Sequence, residues 1–133
     1  MNIASLLTPK ENTKYIYSDD SVRQALEKIR KYGFSAIPVI RRDGTYVYTL
    51  TEGDLLWFIL EQNDFNMHEM EHIGIDRVRK RIRYASVGIN EDIEELSKRI
   101  LAQNFVPVVD DLGHFIGIVT RKSVLSYMTE KIK

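Results

Sequence analysis

The sequence predicts an α/β protein made of two copies of one β-α-β-β-α unit. Three observations predict it. The second half restates the first at a fixed spacing, each half sets short β-rich stretches beside amphipathic helices, and a glycine turn joins two strands in both halves. The spacing is the strongest of these. Ile37-Pro38-Val39-Ile40 matches Val106-Pro107-Val108-Val109, and Pro38 and Pro107, Gly44 and Gly113, Thr51 and Thr120 all stand 69 positions apart.

Each element follows from its own residues. Tyr15 to Tyr17 and about Ala85 to Ile89 read as short extended stretches. Asp19, Asp20 and Ser21 supply a cap for a helix whose Val22, Ala25, Leu26 and Ile29 recur at helical spacing, and Asn90 precedes the corresponding Ile93, Leu96 and Ile100. Ser35 to Ile40 and Thr45 to Leu50 make a hairpin about Arg42-Asp43-Gly44. Phe105 to Val109 and His114 to Val119 repeat it around Asp110 to Gly113. A second helix follows Thr51, carrying Leu55 to Leu60, and another follows Thr120, carrying Val124 to Met128. The expected organisation is repeat 1 over 1–66, a connector over 67–74 and repeat 2 over 75–133. One repeat of about 60 residues is marginal alone, so the pair is expected to pack with pseudo-twofold symmetry into one module with a cleft between related sheets.

Composition narrows the function. The 133 residues are 44% hydrophobic and 29% charged, which suits a globular domain, and there is no cysteine to supply a disulfide, a thiol nucleophile or a thiolate zinc site. That absence fits a reducing cytosol, and no secretory leader is read at the amino terminus, so a cytoplasmic protein is expected. The longest apolar run, Leu55 to Leu60, is too short to span a bilayer. With 19 basic and 19 acidic side chains the net charge is zero, which argues against nucleic acid as the partner. The local exception is Arg77, Arg79, Lys80, Arg81 and Arg83. Val78 and Ile82, four apart, would seat one face of a short helix there while the charges meet water.

The order of elements, the apolar-Pro-Val-Val/Ile segment and the ending Gly117-Ile118-Val119-Thr120 resemble the cystathionine-β-synthase (CBS) repeat, which occurs as a tandem pair. The resemblance runs from Leu7-Thr8-Pro9-Lys10 to Tyr127. It implies a regulatory module without catalytic activity, binding an adenine nucleotide (AMP, ATP or cyclic di-AMP) between the repeats and signalling to a partner protein. The family's ligand motif ends in Gly-apolar-x-Thr/Ser-x-x-Asp. Free N–H groups at a helix start suit phosphate, and an ionised acid can accept two vicinal ribose hydroxyls.

In the first half Thr51 and Asp54 inherit those roles, with Phe105 and Val106 of the second half brought in by the family's crossed arrangement. The same two residues also form a capping box that requires no ligand. Tyr48 stands at the motif's glycine position, and Phe105 leaves little room for a base. In the second half Gly117 and Thr120 are kept, Arg121 and Lys122 add charge, and Ser123 replaces the acid. The resemblance pairs this helix start with Lys14, Tyr15, Ile16, Ser35, Ala36, Ile37 and Pro38, where small Ser35 and Ala36 leave space for adenine. That set is similar to small tandem receptors for cyclic di-AMP, whose esterified 3′ hydroxyl removes one partner of a bidentate acid. Ordinary surface charge is the competing reading of Lys14, Arg121 and Lys122.

His68-Glu69-Met70-Glu71-His72 spells H-E-x-x-H, yet it lies in a short connector and the only other histidine is His114, so neither zinc nor any cofactor is expected. No G-x-S-x-G elbow or Walker loop occurs. Six successive apolar residues from Leu55 to Leu60 point every way around a helix, so a homodimer contact is expected there. A structural dimerisation module with empty clefts is the alternative to a nucleotide receptor.

Overall fold

The computed structural model describes residues 2–62, 66–80 and 84–132. Among them are five α-helices, seven strands and two sheets, and the chain divides into two compact units. One unit is Tyr15–Arg83; the other combines the residues as far as Lys14 with those from Tyr84 onward. A sequence repeat and a compact unit differ here, because Thr8–Pro9, ahead of the first repeat's own sheet, adds a strand to the second repeat's sheet.

In the contiguous unit the order is β2 (Ile16–Tyr17), α1 (Val22–Tyr32), β3 (Ala36–Ile40), β4 (Tyr46–Thr51) and α2 (Glu52–Leu60), following β1 (Thr8–Pro9) of the other unit. Its sheet runs β2-β3-β4, parallel then antiparallel. α1 starts where Ser21 and Gln24 exchange hydrogen bonds in a capping box, and it buries Val22, Ala25 and Ile29 on one face. Gly33, at φ 70°, ends it in a conformation that side chains rarely adopt. Pro38 is tolerated in the middle strand because β2 pairs only with Val39 and Ile40, so no ladder bond is lost on that side. The core gathers Ile16, Ile37, Val39, Leu50 and Leu55 with Met70, Ile75 and Val78 from beyond α2. Met70 belongs to the one-turn α3 (Met67–Met70).

The other unit repeats the pattern with β5 (Val87–Gly88), α4 (Ile93–Ile100), β6 (Phe105–Val109), β7 (Phe115–Thr120) and α5 (Arg121–Ile132). Its sheet has the order β1-β7-β6-β5. The hairpins share a register irregularity at the same place, between Val39 and Ile40 and between Val108 and Val109, so the repeat extends to backbone detail. A separate core holds Ile3, Leu6, Val87, Leu96, Ile100, Val106, Val108 and Val119.

The added strand explains a difference between the repeats. Gly117 has φ 152°, and a Cβ there would lie 2.2 Å from the Thr8 carbonyl oxygen, so only glycine lets β1 approach β7. Its counterpart in β4 is Tyr48, and among the described residues β4 has no second neighbouring strand. In the basic stretch, Ile75–Arg77 forms a single 3₁₀ turn, Val78 is buried, and Arg77, Arg79 and Lys80 are exposed. Arg81, Ile82 and Arg83 lie outside the described residues, and so does the rest of the short helix expected there.

Candidate functional site

The two candidate helix starts are built alike and differ in chemistry. In the contiguous unit, β4 ends at Thr51, opposite Ala36, and α2 begins at once. The Asp54 amide donates to Thr51 Oγ1 at 3.0 Å, and the Thr51 amide donates to Asp54 Oδ2 at 3.1 Å. The capping box read from the sequence is therefore formed. Asp54 is only 1% exposed and Thr51 8%. The Glu52 amide donates to the Ser35 carbonyl at 2.9 Å, which takes one more donor from the helix start.

Tyr48 belongs to the same unit and packs against its core. Its hydroxyl donates to the Ile75 carbonyl at 3.4 Å, and the Lys80 ammonium lies 4.1 Å from its ring centre. Burial pushes the Tyr48 phenol up to about 12, with the Asp76 and Asp54 carboxylates adding to the shift. Tyr46 is likewise raised to about 12 by burial, against a lowering from its hydrogen bond with Thr49. Of the other residues singled out here, Ile16 and Ile37 are fully buried, Ala36 and Pro38 are buried, Tyr15 is half-buried and set edge-on to Tyr17, and Ser35 is exposed.

In the second unit β7 ends at Thr120, opposite Phe105, and α5 follows. The Ser123 amide donates to Thr120 Oγ1 at 3.0 Å and the two hydroxyls are 2.8 Å apart, so serine stands in the acid's place within the same cap. Lys122 and Lys14 are exposed. Phe105 packs its ring against Tyr84 at 5.3 Å, and Val106 is fully buried. The Arg121 Nε and Nη2 donate to main-chain carbonyls at the end of α4 and beyond. Sequence reading missed that anchorage, although the absence of a glycine after α4 was its signal.

Two anchors had no sequence signal. Buried Gln103 accepts from the Ala85 amide and donates to the Ala85 and Phe105 carbonyls, holding the approach to β5 against β6. Lys28 reaches the buried Asp20 carboxylate at 3.1 Å. The H-E-x-x-H residues occupy α3 and the turn after it: Met70 is in the core, and Glu71 pairs with Arg23 and lies 3.6 Å from His68 Nδ1. Among the described residues no three histidine, aspartate or glutamate side chains cluster in a way that would hold a metal ion. Among the described residues no helix is long and apolar enough to cross a membrane.

Comparison with known proteins agrees with this architecture. The chain is 25% identical to the uncharacterised protein MJ1426 of Methanocaldococcus jannaschii over 83% of its length and 82% of the relative's. Among solved structures, it superposes on CbpB of Listeria monocytogenes in complex with c-di-AMP with TM-score 0.84 and 23% identity, covering 98% of this chain and 96% of that one. It superposes on CBSX2 in complex with AMP with TM-score 0.73 and 23% identity, covering 99% and 98%. The CBS domain profile matches residues 3–61 and 78–130, most of the sequence in two segments, and the chain belongs to the CBS domain family.

Proposed function

We propose that this chain is a non-catalytic regulatory module of the cytoplasm that binds a phosphate-rich adenine nucleotide, cyclic di-AMP before AMP or ATP, and passes the bound state to a partner protein. The observation that carries the reading is the contrast between the two helix starts. Asp54 is buried and engaged in its own capping box, whereas the start of α5 has exposed Lys122 beside Thr120 and no acid at position 123. A carboxylate suits a ribose with both hydroxyls free. A cation and helix N–H groups suit a phosphodiester.

Phosphate is assigned to Thr120, Ser123, Lys122 and Lys14, all of the second unit. The relatives that hold c-di-AMP and AMP support the ligand class. Calorimetry with cyclic di-AMP, AMP and ATP tests it. Each well-formed charge-assisted bond contributes about 1.5–3 kcal/mol, so Lys122→Ala should weaken cyclic di-AMP about tenfold or more. Undiminished binding by that variant refutes the assignment.

The module is also proposed to form a homodimer. On α2, Leu56, Trp57 and Leu60 are 55%, 50% and 64% exposed, and on α5 Leu125 and Met128 are more than half exposed. Apolar side chains in this number on helix surfaces call for a cover. The second reading, a dimerisation module that binds no nucleotide, is favoured by the self-satisfied Thr51–Asp54 cap. Thermal shift with the three nucleotides separates the two.

A further inference from the structure

α1 and α4 hold equivalent places in the two repeats, yet they end differently. α1 runs into Gly33, whose left-handed turn brings its N–H back to the Ile29 carbonyl at 2.8 Å. No glycine follows α4. Its C-cap, Leu101, keeps helical angles, and the chain continues through Ala102, Gln103 and Asn104 into β6. Carbonyls at such an end need donors from elsewhere.

Arg121 supplies them from the first turn of α5. Its Nε donates to the Ile100 carbonyl at 3.1 Å, and its Nη2 to the Gln103 carbonyl at 3.0 Å and, less closely, to that of Leu101 at 3.4 Å. Its backbone N–H donates to the Asn104 carbonyl at 2.9 Å. A delocalised cation is also favoured at the negative end of a helix dipole. The first repeat has Glu52 in this position, an acid that cannot donate, and has the glycine instead.

We infer that Arg121 is a positioning residue. Its planar fork replaces the missing glycine cap and fixes the first turn of α5, with Thr120 and Lys122, against the end of α4. The guanidinium acts on nucleotide affinity through that anchorage and not through contact with phosphate. The inference rests on the reading of Thr120 to Ser123 as the phosphate-facing segment.

Two variants of the full chain separate the roles. Arg121→Lys keeps the charge without the fork, and Arg121→Met keeps the stem without the charge. Amide hydrogen exchange is measured without ligand, and calorimetric affinity for cyclic di-AMP is measured at several salt concentrations. Positioning predicts faster exchange at 100–104 and 121–124 in both variants, and a similar loss of affinity in both of about three- to tenfold, the equivalent of an ordinary hydrogen bond. The salt dependence of binding should stay that of the wild type, since no ligand-facing charge is removed.

Arg121→Lys binding like the wild type while Arg121→Met binds weakly with a shallower salt dependence would overturn the inference in favour of direct phosphate contact. Faster exchange with unchanged affinity in both variants would also overturn it, leaving a helix cap alone. A wild-type chain that binds no cyclic di-AMP refutes the functional reading and the positioning role with it. The ligand-free exchange reports on the anchorage independently.

Discussion

Replacing Gly117 with alanine tests how the amino-terminal segment joins the second repeat's sheet. The added Cβ would lie 2.2 Å from the Thr8 carbonyl oxygen, 2.9 Å from Leu7 Cδ1 and 3.1 Å from Pro9 Cα. Leu7 can turn aside, but the oxygen is backbone, and an ordinary carbon–oxygen contact of about 3.3 Å requires β1 to retreat by about an ångström. An L-residue also strains at φ 152°, at about 1–3 kcal/mol. With the weakened β1–β7 pairing the total is about 2–4 kcal/mol. If the segment leaves altogether, Ile3 and Leu6 lose their burial and the cost rises by up to about 1.5–3 kcal/mol for each. Urea unfolding measures it, with Gly53→Ala as the control. At Gly53 a Cβ meets only Thr51 Oγ1, at 3.7 Å, inside α2, so alanine should stabilise by about 0.5–1 kcal/mol. A Gly117→Ala chain within about 0.5 kcal/mol of the wild type would refute the account of this strand.

Other consequences are as direct. Thr51→Ala should lower stability by about 0.5–2 kcal/mol through loss of the cap, and Asp54→Asn should leave cyclic di-AMP affinity unchanged; a selective loss of binding in Asp54→Asn would move the ligand to the first helix start. Leu56→Glu combined with Leu60→Glu should halve the mass seen by light scattering at micromolar concentration, and a wild-type monomer would remove the dimer from the proposal. Tyr46 and Tyr48 have folded values near 12 against an ordinary value of 10, so the folded state favours the neutral phenols. Their contribution is complete below pH 10 and is lost as pH rises towards 12. The ultraviolet difference between wild type and Tyr48→Phe should therefore titrate near pH 12, and a midpoint near 10 would show that Tyr48 is not buried in solution.

The repeat was legible because its register is carried by residues that backbone geometry demands. Gly44 and Gly113 and the hydroxyls of Thr51 and Thr120 mark the same turns and helix starts in both halves, and Pro38 and Pro107 hold the same place within the paired strands. Helix faces followed from periodicity, and α1 buries three of the four apolar residues expected, with Leu26 packed beside them. The strand Thr8–Pro9 was not legible, since two residues carry no alternation; its only trace was the glycine it requires in β7. Arg121 shows a different limit. Composition indicates a cation beside a phosphate-binding motif, but which carbonyls stand unpaired within reach is decided only when α4 and α5 are placed in space.

The discontinuity of the second unit sets an order of events. Thr8 and Ile118 pair although about 110 residues separate them, a closure among the most distant this chain can make. The unit between them, Tyr15–Arg83, is contiguous and has a core of its own. On a ribosome that unit can collapse while the first strand of its neighbour still lacks a sheet to join. Until β6 and β7 emerge, Ile3 and Leu6 lack the Val106, Val108 and Val119 side chains with which they are buried in the finished fold.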